Sequence, residues 1–191
     1  MVLPIVAYGD PVLRKVAIDI NKDYPKLNEL IYDMFHTMYH AKGVGLAAPQ
    51  VGCSIRLFVV DASAFAEDVK GEEQEQLKKF KKVFINAKLV EEEGEEWKFN
   101  EGCLSIPKVR EDILRKPGIR IQYYDEKFNS YDEKYKGLAA RIIQHEYDHI
   151  DGVLFTDKIS PMRKRLLNKK LLNISKGDVD VEYKMRFFNK K

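Results

Sequence analysis

The chain has 191 residues, 45% hydrophobic and 33% charged, with a formal net charge of +3. That is the profile of an ordinary soluble globular protein with room for one well-buried core, which excludes the disordered and fibrous classes. No apolar run is long enough to span a membrane, while two cysteines and an N-terminus unlike a secretory leader point to a cytoplasmic setting.

From about 25 to 41, Leu27, Leu30, Ile31, Met34, Met38 and Ala41 recur at helical spacing, and the helix ends at the glycines of KGVGLAAPQ. SIRLFVVD (54–61) has the β-branched and aromatic content of a strand. Residues 62–82 are highly charged and predict an exposed insertion with one short helix. KVFINAKLV (82–90) predicts a second strand, and the acidic EEEGEEWKF a turn leading into a third. Further strands are predicted at 109–115, 118–125 and 128–135, separated by turns at Pro117-Gly118 and at 127–129. Gly137 opens the helix GLAARIIQHEYDHI, ended by Asp151-Gly152. A last helix starts near Ser160-Pro161 and stops at Gly177, and VDVEYKMRFF (179–188) alternates like a final strand.

The pattern predicts a single α+β domain over 1–191, with mostly antiparallel strands packed around a central helix, a C-terminal helix, a charged insertion at 62–82 and a basic tail from 158. Residues 158–191 carry eleven Lys or Arg against three Asp or Glu, a net +8 that leaves −5 on the rest. Such a tail is either a solvated helix face or a contact for a polyanion such as RNA.

QHEYDHIDG (144–152) carries the chemistry. On a helix His145 and His149 lie one above the other and can grip one ion, with Glu146 placed to hydrogen-bond a water. His36 and His40 share that spacing, but Thr37 replaces the glutamate, so the pair reads as helix surface and packing. HExxH is the signature of zinc peptidases, whose third ligand lies downstream. Here Phe155 stands where one branch has a histidine, and the only downstream glutamate is Glu182, in the basic tail. The third ligand is therefore sought upstream, where Cys103 of EGCLSIP is a candidate. Cys/His/His leaves one coordination position for water. Taken alone, such a cysteine is more often a small buried apolar residue than a ligand, the reading given to Cys53.

GVGLAAPQ (43–50), EGCLS (101–105) and QHEYDH (144–149), in that order and with GDPVLRKVA (9–17) ahead of them, resemble the motifs of the peptide deformylases over most of residues 4–160. The resemblance implies that Cys103, His145 and His149 hold one divalent metal. Ligand type alone favours Zn2+, whereas the family implies Fe2+ in cells, with Zn2+, Ni2+ or Co2+ able to substitute. It implies removal of the N-formyl group from the formyl-methionine end of new polypeptides, releasing formate. Hydroxide generated at the metal would attack the formyl carbon, with Glu146 as base and then acid. The Gln50 side chain and the Leu104 backbone N–H would stabilise the oxyanion.

Gly43 and Gly45 would let the substrate backbone approach as an added strand. Val44 and Ile142 are candidates for the methionine pocket, and Arg110 falls at a family position near the mouth. Glu101, Arg115 and Asp148 resemble the family's buried acid–base cluster, with a plain surface salt bridge as the alternative. The implied partners are formylated nascent chains and, through the basic tail, the ribosome, with no membrane and no DNA. Two other readings stand beside this one. For an HExxH metallopeptidase the downstream ligand is missing. Against an inactive metal-binding module on the ribosome stand the intact Glu146 and Gln50.

Overall fold

The computed structural model describes residues 1–188. β1 (Ile5–Val6), α1 (Leu27–His40), β2 (Gly45–Ala47) and β3 (Leu57–Asp61) lead to α2 (Glu72–Lys78). Five strands follow: β4 (Lys81–Glu93), β5 (Trp97–Cys103), β6 (Ile106–Arg115), β7 (Gly118–Tyr124) and β8 (Ser130–Lys136). The helices α3 (Gly137–Ile150) and α4 (Pro161–Lys176) and the short β9 (Met185–Arg186) complete the chain. An antiparallel sheet runs in the order β2-β3-β4-β7-β8, β5 and β6 form a separate hairpin, and β1 pairs with β9 in parallel. This is the single α+β domain of mostly antiparallel strands that the pattern predicts.

Period-two alternation in β3 explains how the sheet is covered on both faces. Phe58 and Val60 enter a core with Ala140 and Ile143 of α3, while Leu57 and Val59 face Met34 and Met38 of α1. Each such side chain contributes about 1.5–3 kcal/mol by leaving water. A third cluster joins Ile106, Val109 and Ile113 of β6 to Leu171 and Ile174 of α4. α4 begins and ends as its sequence predicts: the Ser160 hydroxyl accepts from Arg163 N–H at 3.3 Å, and Gly177 closes it with φ +78°.

Two segments depart from expectation. The charged stretch is not merely exposed: a 3-10 turn at Ser63–Asp68 and α2 bury Ala66 and Leu77. It also supplies the N-terminal cap of α3. Lys136 gives α3 no side-chain cap, and Glu73 Oε1 accepts Leu138 N–H at 3.1 Å instead. The alternating tail forms only two residues of strand, because its partner β1 is itself two residues long. Among the described residues no helix is long and apolar enough to cross a membrane.

Candidate active site

Cys103 ends β5 and enters a two-residue connection, while His145 and His149 sit one turn apart on α3. The fold brings these distant segments together. Cys103 Sγ lies 3.3 Å from His149 Nε2, and one ligand atom from each of the three residues falls within 4.8 Å of the others. It is the one such group among the described residues. His36 and His40 point from the exposed face of α1, and Cys53 packs against the α1 core, as their sequence readings predict.

One thiolate and two imidazoles form a donor set suited to a borderline-soft divalent cation. Burial would lower the His145 imidazole, but hydrogen bonds to Cys103 and Glu101 raise it well above its ordinary range. Burial, then the charge of His145, pushes His149 well below. The residues fit a metal.

Behind the ligands, two carboxylates, Glu101 and Asp148, meet Arg115 and Arg141 and, at the edge, Lys158. Glu101 accepts from Arg115 Nε at 2.7 Å, from Arg141 Nη1 at 3.1 Å, and faces His145 Nδ1 at 3.0 Å. Arg115 Nη2 also donates to Glu101 at 3.0 Å, while Asp148 accepts from Arg115 Nη1 at 2.7 Å and meets Lys158 at 3.4 Å. Burial opposes the Glu101 charge, yet His145 and Arg115 hold its carboxyl far below the usual range. This geometry engages His145 Nδ1 with Glu101 and leaves Nε2 as the ring's ligand atom, which is what a ligand's outer partners do. A surface salt bridge is excluded for Glu101 and Arg115, whose side chains are each 4% exposed.

Glu146 is 4% exposed, and its Oε2 has no hydrogen-bond partner. Burial pushes its carboxyl up to about 7. Its side chain lies over Gly45, where a Cβ would come within 2.7 Å of the Glu146 Cδ. That contact, not backbone conformation, is what demands glycine there. Gln50 Oε1 accepts Ala47 N–H at 2.8 Å, which turns its Nε2 toward Ser105 Oγ at 3.2 Å and Cys103 Sγ at 3.4 Å.

These groups open on a cleft of about 550 Å³ lined by Gly43, Val44, Gly45, Leu104, Arg110 and Ile142 among others. β2 is an edge strand of the sheet and forms one wall. Arg110 lies along β5, donating to Asn100 Oδ1 at 2.8 Å and to the Asn100 carbonyl at 2.5 Å. Arg115 and Asp148 stand behind the cleft, outside its lining. Phe155 stacks beside His145 with centroids 6.2 Å apart, filling with an apolar ring the place where one peptidase branch has a ligand. Glu182 sits at the mouth, paired with Lys42 and not with the histidines.

The sequence reading missed four contributors. Arg141, not singled out from the sequence, is 2% exposed and packs 4.5 Å over Trp97. Ser105 is fully buried beside Gln50. Phe65, from the charged insertion, meets Phe99 edge-on at the cleft wall. Tyr183 reaches the site from the tail. Only Ser105 lay within a recognised motif, EGCLS.

The polypeptide deformylase family model matches residues 2–165. Peptide deformylase of Christiangramia forsetii is 62% identical over 193 residues, covering 100% of this chain and 98% of that protein. That of Salinibacter ruber is 45% identical, covering 96% and 93%. Among solved structures, a peptide deformylase from Legionella pneumophila superposes with TM-score 0.76 at 35% identity, covering 91% and 95% of the two chains. The Thermotoga maritima peptide deformylase does so with TM-score 0.74 at 39% identity, covering 84% and 99%. The chain belongs to the polypeptide deformylase family.

Proposed function

We propose that the cleft hydrolyses the formyl amide at the formyl-methionine end of new polypeptides, with Glu146 as its proton carrier. The observation behind this reading is the convergence of the Cys103, His145 and His149 donors beside a buried Glu146 carboxylate whose Oε2 has no partner, at the wall of one cleft. When bound to those donors, a divalent cation supplies Lewis acidity that makes water nucleophilic near neutral pH. Fe2+ is the cation we assign in cells, with Zn2+, Ni2+ or Co2+ as substitutes.

Glu146 accepts the proton of the attacking water and returns it to the departing amine nitrogen, so formate and a free α-amine leave. Oxyanion charge is met by the Leu104 N–H, which lies outside the β5–β6 ladder, and by the Gln50 amide. The Gln50 Nε2, which donates to Cys103 Sγ at 3.4 Å, is the group that turns to the oxygen. Substrate backbone pairs along the β2 edge at Gly45 and the preceding turn at Gly43. Val44 and Ile142, with Phe65 and Phe99, receive the methionine side chain. Arg110 borders the exit. Glu101, Arg115 and Asp148 hold the His145 ring in place.

Supplying formyl-Met peptide and its unformylated twin, anaerobically with ferrous ion, tests the reading. Formate release without internal cleavage is expected. Internal cleavage would instead mark a peptidase, and no turnover a metal-binding module. The same reading sets the enzyme in the cytoplasm, its basic tail against ribosomal RNA. Co-sedimentation with ribosomes should then weaken steeply as salt rises, and absent or salt-independent binding removes that contact.

A further inference from the structure

The connection between β5 and β6 is closed by pairing of Cys103 with Ile106, leaving Leu104 and Ser105 outside the ladder. Backbone of that kind is fixed by bonds from elsewhere. The Ser105 carbonyl accepts Tyr8 N–H at 2.8 Å, and the Leu104 carbonyl accepts the Tyr183 hydroxyl at 2.7 Å.

Tyr183 belongs to the segment after α4, beyond the stretch that the family model matches. This segment crosses the cleft mouth, where Asp180, Val181, Glu182 and Tyr183 all line the cavity. Glu182 Oε2 reaches Lys42 Nζ at 2.9 Å, next to Gly43 on the other lip. The strap is then anchored beside β1: Ile5 N–H donates to the Lys184 carbonyl and Ala7 N–H to that of Arg186, each at 2.9 Å. Arg186 pairs with Asp10 at 3.5 Å. Along the way the Tyr183 ring packs with Leu104 against the α1 core.

We infer that Tyr183 is a positioning residue for deformylation, its hydroxyl holding Leu104 so that the backbone N–H meets the developing oxyanion. The inference rests on the oxyanion role assigned to Leu104 above. Since the bond falls on the carbonyl of the residue whose N–H does the work, its loss frees the turn without removing a donor or a metal ligand. Alignment that matters only where the oxyanion forms acts on kcat and leaves ground-state binding alone.

The test is Tyr183→Phe in the full-length, metal-loaded enzyme, which keeps the ring and removes one oxygen. On a formyl-Met dipeptide, kcat should fall about fivefold or more, the scale of one neutral hydrogen bond. KM, metal content and affinity for the deformylated product should match wild type, and the melting temperature should fall by no more than about 2–4 °C, the cost of that one bond. An unchanged kcat overturns the inference. So does a rise in KM alone, which makes Tyr183 a substrate wall, or a fall that tracks lost metal or stability, which makes it structural. Absence of formate release by the wild type itself would sink the deformylase reading instead.

Discussion

A carboxylate oxygen buried without a partner is costly to keep, and Glu146 Oε2 is one. A proton carrier needs that freedom, with an affinity near working pH, and burial places the Glu146 carboxyl at about 7. Glu146→Ala should therefore retain fold and metal while kcat drops about a hundred- to ten-thousand-fold. Metal analysis and steady-state kinetics on one sample check this, and a near-normal kcat would dismiss the assigned base. Gly45→Ala probes the same carboxylate from below. The added methyl meets the Glu146 side chain and should cost about 1–3 kcal/mol of stability by overpacking. If the chain yields by moving Glu146, kcat falls as well; stability lost with kcat intact would show the carboxylate insensitive to this contact.

At the scale of elements, α3 depends on a residue from the charged insertion for its first turn. Glu73 satisfies Leu138 N–H and places a negative charge at the positive end of the helix that carries His145, Glu146 and His149. Glu73→Ala should destabilise by about 1 kcal/mol, lowering the melting temperature by about 2–4 °C in a domain of this size; an unchanged melting curve would show the cap to be idle. Local pattern made α3, β3 and α4 legible, because spacing, alternation and capping residues each act within a few positions. The insertion was not legible as core, since its lysines and glutamates outnumber the Ala66 and Leu77 that it buries. Nor was the shortness of β9, because strand length is set by the partner and β1 offers two residues. Within the site, the helical pair is readable from spacing alone. Cys103, Gln50 and Leu104 needed motif resemblance, and Tyr183 and Arg141 needed the fold, because nothing local marks a tyrosine as reaching a turn 79 positions away.

Across the whole molecule, opposite charges tie the N-terminal region to the basic tail. Asp157, just after α3, accepts from Arg14 of the turn at Pro11–Arg14, from Lys164 of α4 at 3.2 Å, and from Leu154 N–H at 3.0 Å. Burial would raise its carboxyl, but the hydrogen bond from Arg14, helped by Leu154 N–H and Lys164, brings it down to about 2 from an ordinary 3.8. A group with a depressed folded value contributes its full stabilisation above the unfolded value and loses it as pH falls through the folded one. The contribution is therefore complete at neutral pH, shrinks below 3.8 and is gone below about 2. Because the Arg14 and Asp157 side chains are 42% and 28% exposed, solvent screening holds the pair's worth to about 1 kcal/mol or less. Asp157→Asn should accordingly unfold at lower urea than wild type at pH 7, with the two midpoints converging as pH approaches 2. Midpoints that separate further in acid would mean that Asp157 is no net stabiliser of the charged state, and that the three segments are held by their apolar contacts alone.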